Sequence, residues 1–353
     1  MPGRPIPSIH PHGFISNGSP GSSDDDARFY YEGRRLPSQG FSPFPADEEE
    51  NERLRIVHKV THAVLGSHYF GPVDRLLHKP TSGGRRRRVL DVGTGTGDWV
   101  REMAGIFPST DFVGVDIIRV PAPTELQGGS RSLLTTPAPS ILLRSAYDSD
   151  DELPELPNVT FERADIIQGL RHTDAEFDVV HCRNVLSVAI PAYVTAIRDF
   201  TRVLRPTGLL LLAETTVPFS LSDGGAHQAE SALAEFTEAI QNALRSIGLD
   251  PEIRLTLESF IRKGPFADSG VREIVIPLGD WSQDSRLRKV GRLGREALEM
   301  TLRSLTPLLR QTGYDDGRLS MLMSRIHTEL DAERPGSGTG TALVSTYLWA
   351  RKK

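Results

Sequence analysis

Val89-Leu90-Asp91-Val92-Gly93-Thr94-Gly95-Thr96-Gly97-Asp98-Trp99 carries the most information in this chain. Four residues ending in Val92 read as a buried strand. Three glycines then alternate with other residues, and Trp99, Val100, Met103 and Phe107 fall on one face of a helix that stops before Pro108. Glycines let the backbone approach a ligand, and the helix start offers free N–H groups. A phosphate-binding P-loop would need a Gly-Lys-Ser/Thr ending, which is absent. The dinucleotide fingerprint needs a third glycine where Asp98 or Val100 stands. What remains is a nucleoside loop of the S-adenosylmethionine type, an acid followed by Gly-x-Gly-x-Gly. Asp91 would then meet the cofactor's ammonium group.

Outward from the loop, strands alternate with helices. Phe112 to Asp116, Val159 to Arg163, Phe177 to Cys182 and Leu209 to Glu214 read as strands, and Arg205 to Gly208 as a turn. Tyr193, Ile197, Phe200 and Leu204 have helical spacing. This order predicts an α/β fold, a doubly wound parallel sheet with helices on both faces. Asp116 ends its strand 19 residues after Gly97. A carboxylate there can accept both ribose hydroxyl hydrogens. Asp165, in Ala164-Asp165-Ile166, is placed to accept from an adenine amino group; Asp-Ile after a strand is equally a helix start.

The flanks are less regular. Residues 1–45 hold 8 Pro, 6 Gly and 7 Ser, a composition that predicts a disordered arm. Asp47 to Glu50 open a helix with an apolar stripe of Leu54, Val57, Val64 and Leu65, closed by Gly66. Residues 46–80 are read as lid helices. The 42 residues 117–158 form a long, Pro-, Gly- and acid-rich insertion. Residues 220–335 contain helices near 229–247, 285–305 and 316–333 that form a cap, with strands at 271–277 and 342–351.

Composition limits the function. The 353 residues carry a net charge of −5, which gives no basic footprint for nucleic acid. One cysteine excludes an intrachain disulfide. The longest aliphatic run, Leu209 to Ala213, is too short for a bilayer. A cytoplasmic protein without a membrane is expected, with a nuclear location as the alternative. Arg85 to Arg88 looks like a nuclear localisation run, but its place at a strand entry favours a solvated basic edge. His58 and His62 have helical zinc-ligand spacing without an evident third ligand, so no metal is expected.

These motifs resemble class I S-adenosylmethionine-dependent methyltransferases. They resemble more narrowly the fungal group of LaeA-like, velvet-complex and secondary-metabolism methyltransferases. Ala46 to Leu54 is similar to its acidic opening, Gly95-Thr96-Gly97-Asp98-Trp99 to its loop, and Phe177 to Asn184 to its fourth strand. Ile276-Pro277-Leu278-Gly279-Asp280-Trp281, with Asp284 and Gly291, is similar to its cap motif, and Trp349-Ala350-Arg351-Lys352 to its last strand. The resemblance covers 46–353; the long insertion departs from it. It implies a seven-stranded Rossmann-like sheet with the last strand antiparallel and a helical cap. It also implies S-adenosyl-L-methionine as cofactor and a small-molecule acceptor. The alternative is a nuclear regulator within a protein complex. Intact loop residues argue against a domain that has lost turnover.

The cofactor residues expected are Asp91, Gly93, Thr94, Gly95, Gly97, Trp99, Asp116, Ile117, Ala164, Asp165, Ile166, Arg183 and Asn184. His181 and Glu214 are the candidate bases, although positioning alone can drive methyl transfer. His181 is equally a packed strand histidine. Cys182 reads as core filler, because a cytosine-C5 enzyme would place Pro before its cysteine. The Asn/Asp-Pro-Pro-aromatic signature of amino methylation is absent after Cys182. Trp281 is read as either substrate wall or core.

Overall fold

The computed structural model describes residues 29–31, 34–36, 42–121, 156–189, 193–215, 220–222 and 231–353. A short antiparallel pair, β1 (Phe29–Tyr31) and β2 (Arg34–Leu36), comes first. Then follow α1 (Glu48–Leu65), α2 (Val73–Leu77), β3 (Arg87–Val92), α3 (Asp98–Ile106), β4 (Thr110–Asp116) and β5 (Val159–Arg163). The next elements are β6 (Phe177–Arg183), α4 (Leu186–Ala189), α5 (Tyr193–Val203), β7 (Leu204–Thr215) and β8 (Ser220–Ser222). The chain ends with α6 (Ala232–Ser246), α7 (Arg254–Lys263), β9 (Phe266–Pro277), α8 (Ser285–Gln311), α9 (Asp316–Asp331) and β10 (Gly340–Lys352).

The main sheet has the order β5-β4-β3-β6-β7-β10, with β9 on the far edge of β10. The first five strands pair in parallel, and β10 is antiparallel to both β7 and β9. These are the seven expected strands. The three-residue β8 is an eighth, pairing Gly340–Ala342 on the β7 side of β10.

Period-two alternation divides the strands between two cores. Leu90, Val92, Val180, Cys182, Leu210 and Leu212 pack on α5 and α7. Val89, Val179, Leu209 and Leu211 pack on α2 and α3. Each fully buried aliphatic side chain contributes on the order of 1.5–3 kcal/mol, so these two layers hold the sheet rigid beneath the loop. The cap has its own core of Leu233, Phe236, Ile240, Leu302, Leu322 and Ile326, drawn from α6, α8 and α9.

Several expectations change. The arm does not become ordered only at Ala46. Arg34 donates through Nε and Nη2 to Asp47 at 2.6 and 2.9 Å, and Ala46 N–H donates to Arg35 O at 2.6 Å. The rest of residues 1–41, and 122–155 of the insertion, lie outside the described residues. Arg205–Gly208 is not a separate turn but part of β7, with Thr207 at φ 64° and a register shift against β6. Helix α7 is an addition that its charged sequence concealed.

Arg85 and Arg87 both pair with the buried Asp178, Arg86 with Asp111, and Arg88 with Glu176. The basic run is therefore a strand entry pinned by carboxylates. The cap motif is also structural. Trp281 is buried and donates to Thr341 O at 2.9 Å, and it does not line the cavity described below. A Cβ on Gly291 would lie 1.7 Å from Gly279 O, so α8 crosses the exit of β9 at a distance only glycine allows.

Candidate active site

The C-terminal ends of β3, β4 and β6 face a cavity of about 310 Å³ roofed by α1 and α8. This is the crevice at which open α/β sheets place their ligands. The three glycines serve different ends there. All have positive φ, at 71°, 58° and 78° for Gly93, Gly95 and Gly97. A Cβ on Gly93 would lie 2.3 Å from Val185 Cγ2, and one on Gly97 2.6 Å from Phe161 Cζ. Those two glycines admit neighbouring protein. Only Leu54 Cδ1 of α1, at 3.3 Å, stands near a Cβ on Gly95, so this glycine opens the loop toward the cavity.

Asp91 is buried at the floor of the cavity. Its Oδ1 accepts from His181 Nδ1 at 2.6 Å and its Oδ2 from Thr94 Oγ1 at 2.7 Å. Burial holds His181 below the ordinary histidine pKa, against the pull of Asp91. The neutral ring therefore donates from Nδ1 and leaves Nε2 unprotonated. His181 stacks on Trp99 with centroids 3.9 Å apart, and Trp99 Nε1 donates to His68 O at 2.7 Å. The histidine is both packed in the sheet and in contact with the cavity.

Asp116 accepts from Gly95 N at 2.8 Å and Ile118 N at 3.0 Å. Burial raises its pKa, against those two N–H bonds. Its carboxylate thus ties β4 to the glycine loop and keeps lone pairs for a further partner. Ile117, Asp165 and Ile166 line the same cavity; Ala164 packs against the adjoining core. Asp165 Oδ1 accepts from Ile167 N at 3.0 Å, so it caps a short 3₁₀ turn while lining the wall. Asn184, at φ 56°, lines the cavity with its Oδ1 held by Thr215 N at 3.0 Å.

Arg183 stands at the cavity edge as expected from its place at the end of β6, and has a second contact. Its Nη2 donates to His58 Nδ1 of α1 at 3.0 Å. That bond makes Nε2 the protonated nitrogen of His58, which donates to Glu102 Oε2 at 2.8 Å. His68 Nδ1 approaches the same oxygen at 2.7 Å, and His62 stacks on His68 at 4.3 Å. His58 thus groups with His68 and Glu102, and not with the His62 that its spacing suggested. With His58 donating to Glu102, the group is a hydrogen-bond network that latches the lid helix to α3.

Burial alone would raise the Glu102 carboxyl, but bonds from His58 and His68 hold it well below the usual carboxylate range. A depressed folded pKa contributes stability above the unfolded value, lost as pH falls through the folded one. Glu102→Gln should therefore lower stability at neutral pH by about 2 kcal/mol. It should also flatten the decline below about pH 4, which thermal melts across that range would read.

Glu214 corrects an expectation. It is fully buried and does not line the cavity. It accepts from Val185 N, Leu186 N, Ser187 N and Ser187 Oγ at 2.8–3.4 Å, capping α4. It cannot reach an acceptor. Cys182 is fully buried and its thiol is pushed well above the ordinary value, as core filler should be.

Among the polar lining residues that the sequence did not reveal are Glu50, Arg53 and Thr301 on the α1 and α8 walls. The i, i+3 spacing of Glu50 and Arg53 was visible, but not that both would be buried.

Residues 65–249 match the model of a methyltransferase domain. The chain belongs to that family.

The chain is 29% identical over 287 residues to the secondary metabolism regulator laeA of Coprinopsis cinerea, spanning 79% of this chain and 63% of that protein. It is 27% identical over 271 residues to methyltransferase pytC of Aspergillus terreus, covering 75% and 70%. It is 27% identical over 237 residues to N-methyltransferase tcpN of Claviceps purpurea, covering 66% and 71%. Among solved structures, phosphoethanolamine N-methyltransferase 2 of Haemonchus contortus is similar at TM-score 0.40 and 15% identity, over 88% of this chain and 62% of that one. The loop and its two acids stand at the C-terminal ends of β3 and β4. No helix among the described residues is long and apolar enough to cross a membrane.

Proposed function

We propose that this protein transfers a methyl group from S-adenosyl-L-methionine to a small-molecule acceptor of fungal secondary metabolism. The observation that carries the reading is the pair Asp91 and Asp116, set on either side of Gly95 at the floor of one cavity. The residues fit the cofactor. Gly95 leaves the space a side chain would fill, and each acid keeps acceptor capacity toward the cavity.

In this reading Asp91 holds the ammonium group, and Asp116 accepts from the two ribose hydroxyls. Asp165 accepts from the adenine amino group with the oxygen its cap leaves over. Gly93, Thr94, Gly97, Ile117, Ala164, Ile166 and Asn184 shape the pocket. When bound, the cofactor would supply a methyl carbon on a sulfonium, open to in-line attack by an acceptor atom with the sulfur leaving as a neutral thioether. His181 fixes the rotamer of Asp91, and Trp99 fixes His181. Leu54 and Val57 of α1 exclude water above the loop. Alignment of this kind is worth roughly 7–11 kcal/mol of barrier, so the fold can act without a dedicated base.

Relatives described as regulators favour a second reading, a nuclear member of a protein complex that takes no small acceptor. The enclosed chamber between α1 and α8 supports the first. Calorimetry with S-adenosylhomocysteine should show one site per chain together with a thermal shift. Absence of both would overturn the cofactor assignment.

A further inference from the structure

The cavity extends beyond the residues assigned to the cofactor. None of those residues lies on α1 or α8, yet both helices line it. Their walls are apolar at Val57, Val60, Ala297, Leu298 and Leu305, with Leu278 from the exit of β9 beside them. Phe44 and Pro45 close the outer side. A cluster of buried polar groups interrupts this surface.

Glu50 and Arg53 form a bidentate pair, with Nη2 to Oε1 at 2.6 Å and Nε to Oε2 at 2.9 Å. Ser304 Oγ donates to Glu50 Oε2 at 2.9 Å, and the guanidinium lies 4.7 Å from the Phe44 ring centre. The pair carries no net charge, so it has no cation to spare for an anionic ligand. Arg53 Nη1 reaches Thr301 Oγ1 only at 3.5 Å, the outer limit of a hydrogen bond. That nitrogen therefore keeps donor capacity. Thr301 has already given its hydroxyl proton to Ala297 O at 2.7 Å, so its oxygen can only accept.

A donor and an acceptor thus sit side by side among apolar residues of the two helices, with Asn51, His58 and Thr61 of α1 elsewhere on the lining. A neutral hydroxyl satisfies both with a single atom, accepting from Arg53 Nη1 and donating to Thr301 Oγ1. An ether or ketone offers Thr301 no donor beyond the long Arg53 contact, and a carboxylate meets Glu50. We infer that the chamber between α1 and α8 binds an apolar molecule bearing a neutral hydroxyl, recognised by Arg53 and Thr301. The inference rests on the proposed methyltransferase reading in taking that molecule as the acceptor. The hydroxyl is the recognition group, and the methylated atom is left open.

The test uses the full chain and three probes of one shape: 2-naphthol, naphthalene and 2-naphthoate. Each is titrated with and without saturating S-adenosylhomocysteine. The expected result is at least tenfold tighter binding of 2-naphthol than of either other probe. Thr301→Val should bring 2-naphthol to within about threefold of naphthalene while S-adenosylhomocysteine affinity stays unchanged. Arg53→Lys keeps the charge beside Glu50 but loses the fork, and should reduce the preference in the same direction. Equal affinity for 2-naphthol and naphthalene overturns the inference, as does tighter binding of 2-naphthoate. So does a preference that survives both variants, or no 2-naphthol binding at its solubility limit. Failure of S-adenosylhomocysteine to bind would instead overturn the cofactor reading, and the titration without it still decides the chamber.

Discussion

Asp116→Ala should weaken S-adenosylhomocysteine binding at least tenfold, and by up to about a hundredfold. The carboxylate stands at the end of β4 with one oxygen on Gly95 N and the other on Ile118 N. Two ribose hydroxyls would add two charge-assisted bonds, each worth roughly 1.5–3 kcal/mol. About 1.4 kcal/mol is a factor of ten in affinity, and water recovers part of the loss in the variant. The variant also frees the glycine loop from β4, because Gly95 N–H loses its partner. Some fold stability should therefore go as well, more than an exposed strand-end carboxylate would cost. Asp116→Asn should fall between, keeping one acceptor without the charge. Asp165→Ala should cost less than Asp116→Ala, because a single adenine bond is at stake. Calorimetry on the three variants decides the register. If Asp165→Ala loses affinity and Asp116→Ala does not, the ribose lies over β5 rather than β4.

The sheet was legible because its strands obey one simple rule. Alternate residues of β3, β6 and β7 are buried on opposite faces, and a run such as Leu209 to Ala213 has no other reading in a two-faced sheet. The loop was legible because its chemistry is local: an acid, three glycines and a helix start within eleven residues. The roof was not. In α1 the expected stripe was Leu54, Val57, Val64 and Leu65, yet Glu50, Arg53 and His58 are among its buried residues. Beyond the local Glu50–Arg53 pair, their partners are distant in sequence. Ser304 and Thr301 come from α8, Glu102 from α3 and Arg183 from β6. A polar residue enters a core only when paired, and long-range pairing leaves no periodic trace. The same reason hid the role of Glu214, whose partners Val185, Leu186 and Ser187 follow a different strand.

Glu214→Ala should destabilise the fold by about 3–5 kcal/mol, the largest effect on stability expected of any single substitution near the cavity. Its carboxylate is fully buried and receives three backbone N–H groups and one hydroxyl. Alanine leaves those donors without an acceptor in a site closed to solvent, and each orphan costs roughly 1–3 kcal/mol. Relaxation and an entering water offset part of that sum. Glu214→Gln keeps one oxygen for the N–H groups and should lose about half as much. Burial raises the carboxyl pKa, which runs opposite to Glu102. Glu214→Gln loses an acceptor oxygen, so part of this donor set is left without its partner. Denaturant melts at neutral pH read the two losses directly. Cofactor affinity separates this role from that of a base. The segment from Val185 to Ser187 follows Asn184 and forms one wall of the cavity, and Val185 packs over Gly93. A loosened wall weakens S-adenosylhomocysteine binding in proportion to the stability lost. A base would leave binding intact and lower turnover alone. Unchanged stability with lost turnover in Glu214→Gln would return this residue to the reaction.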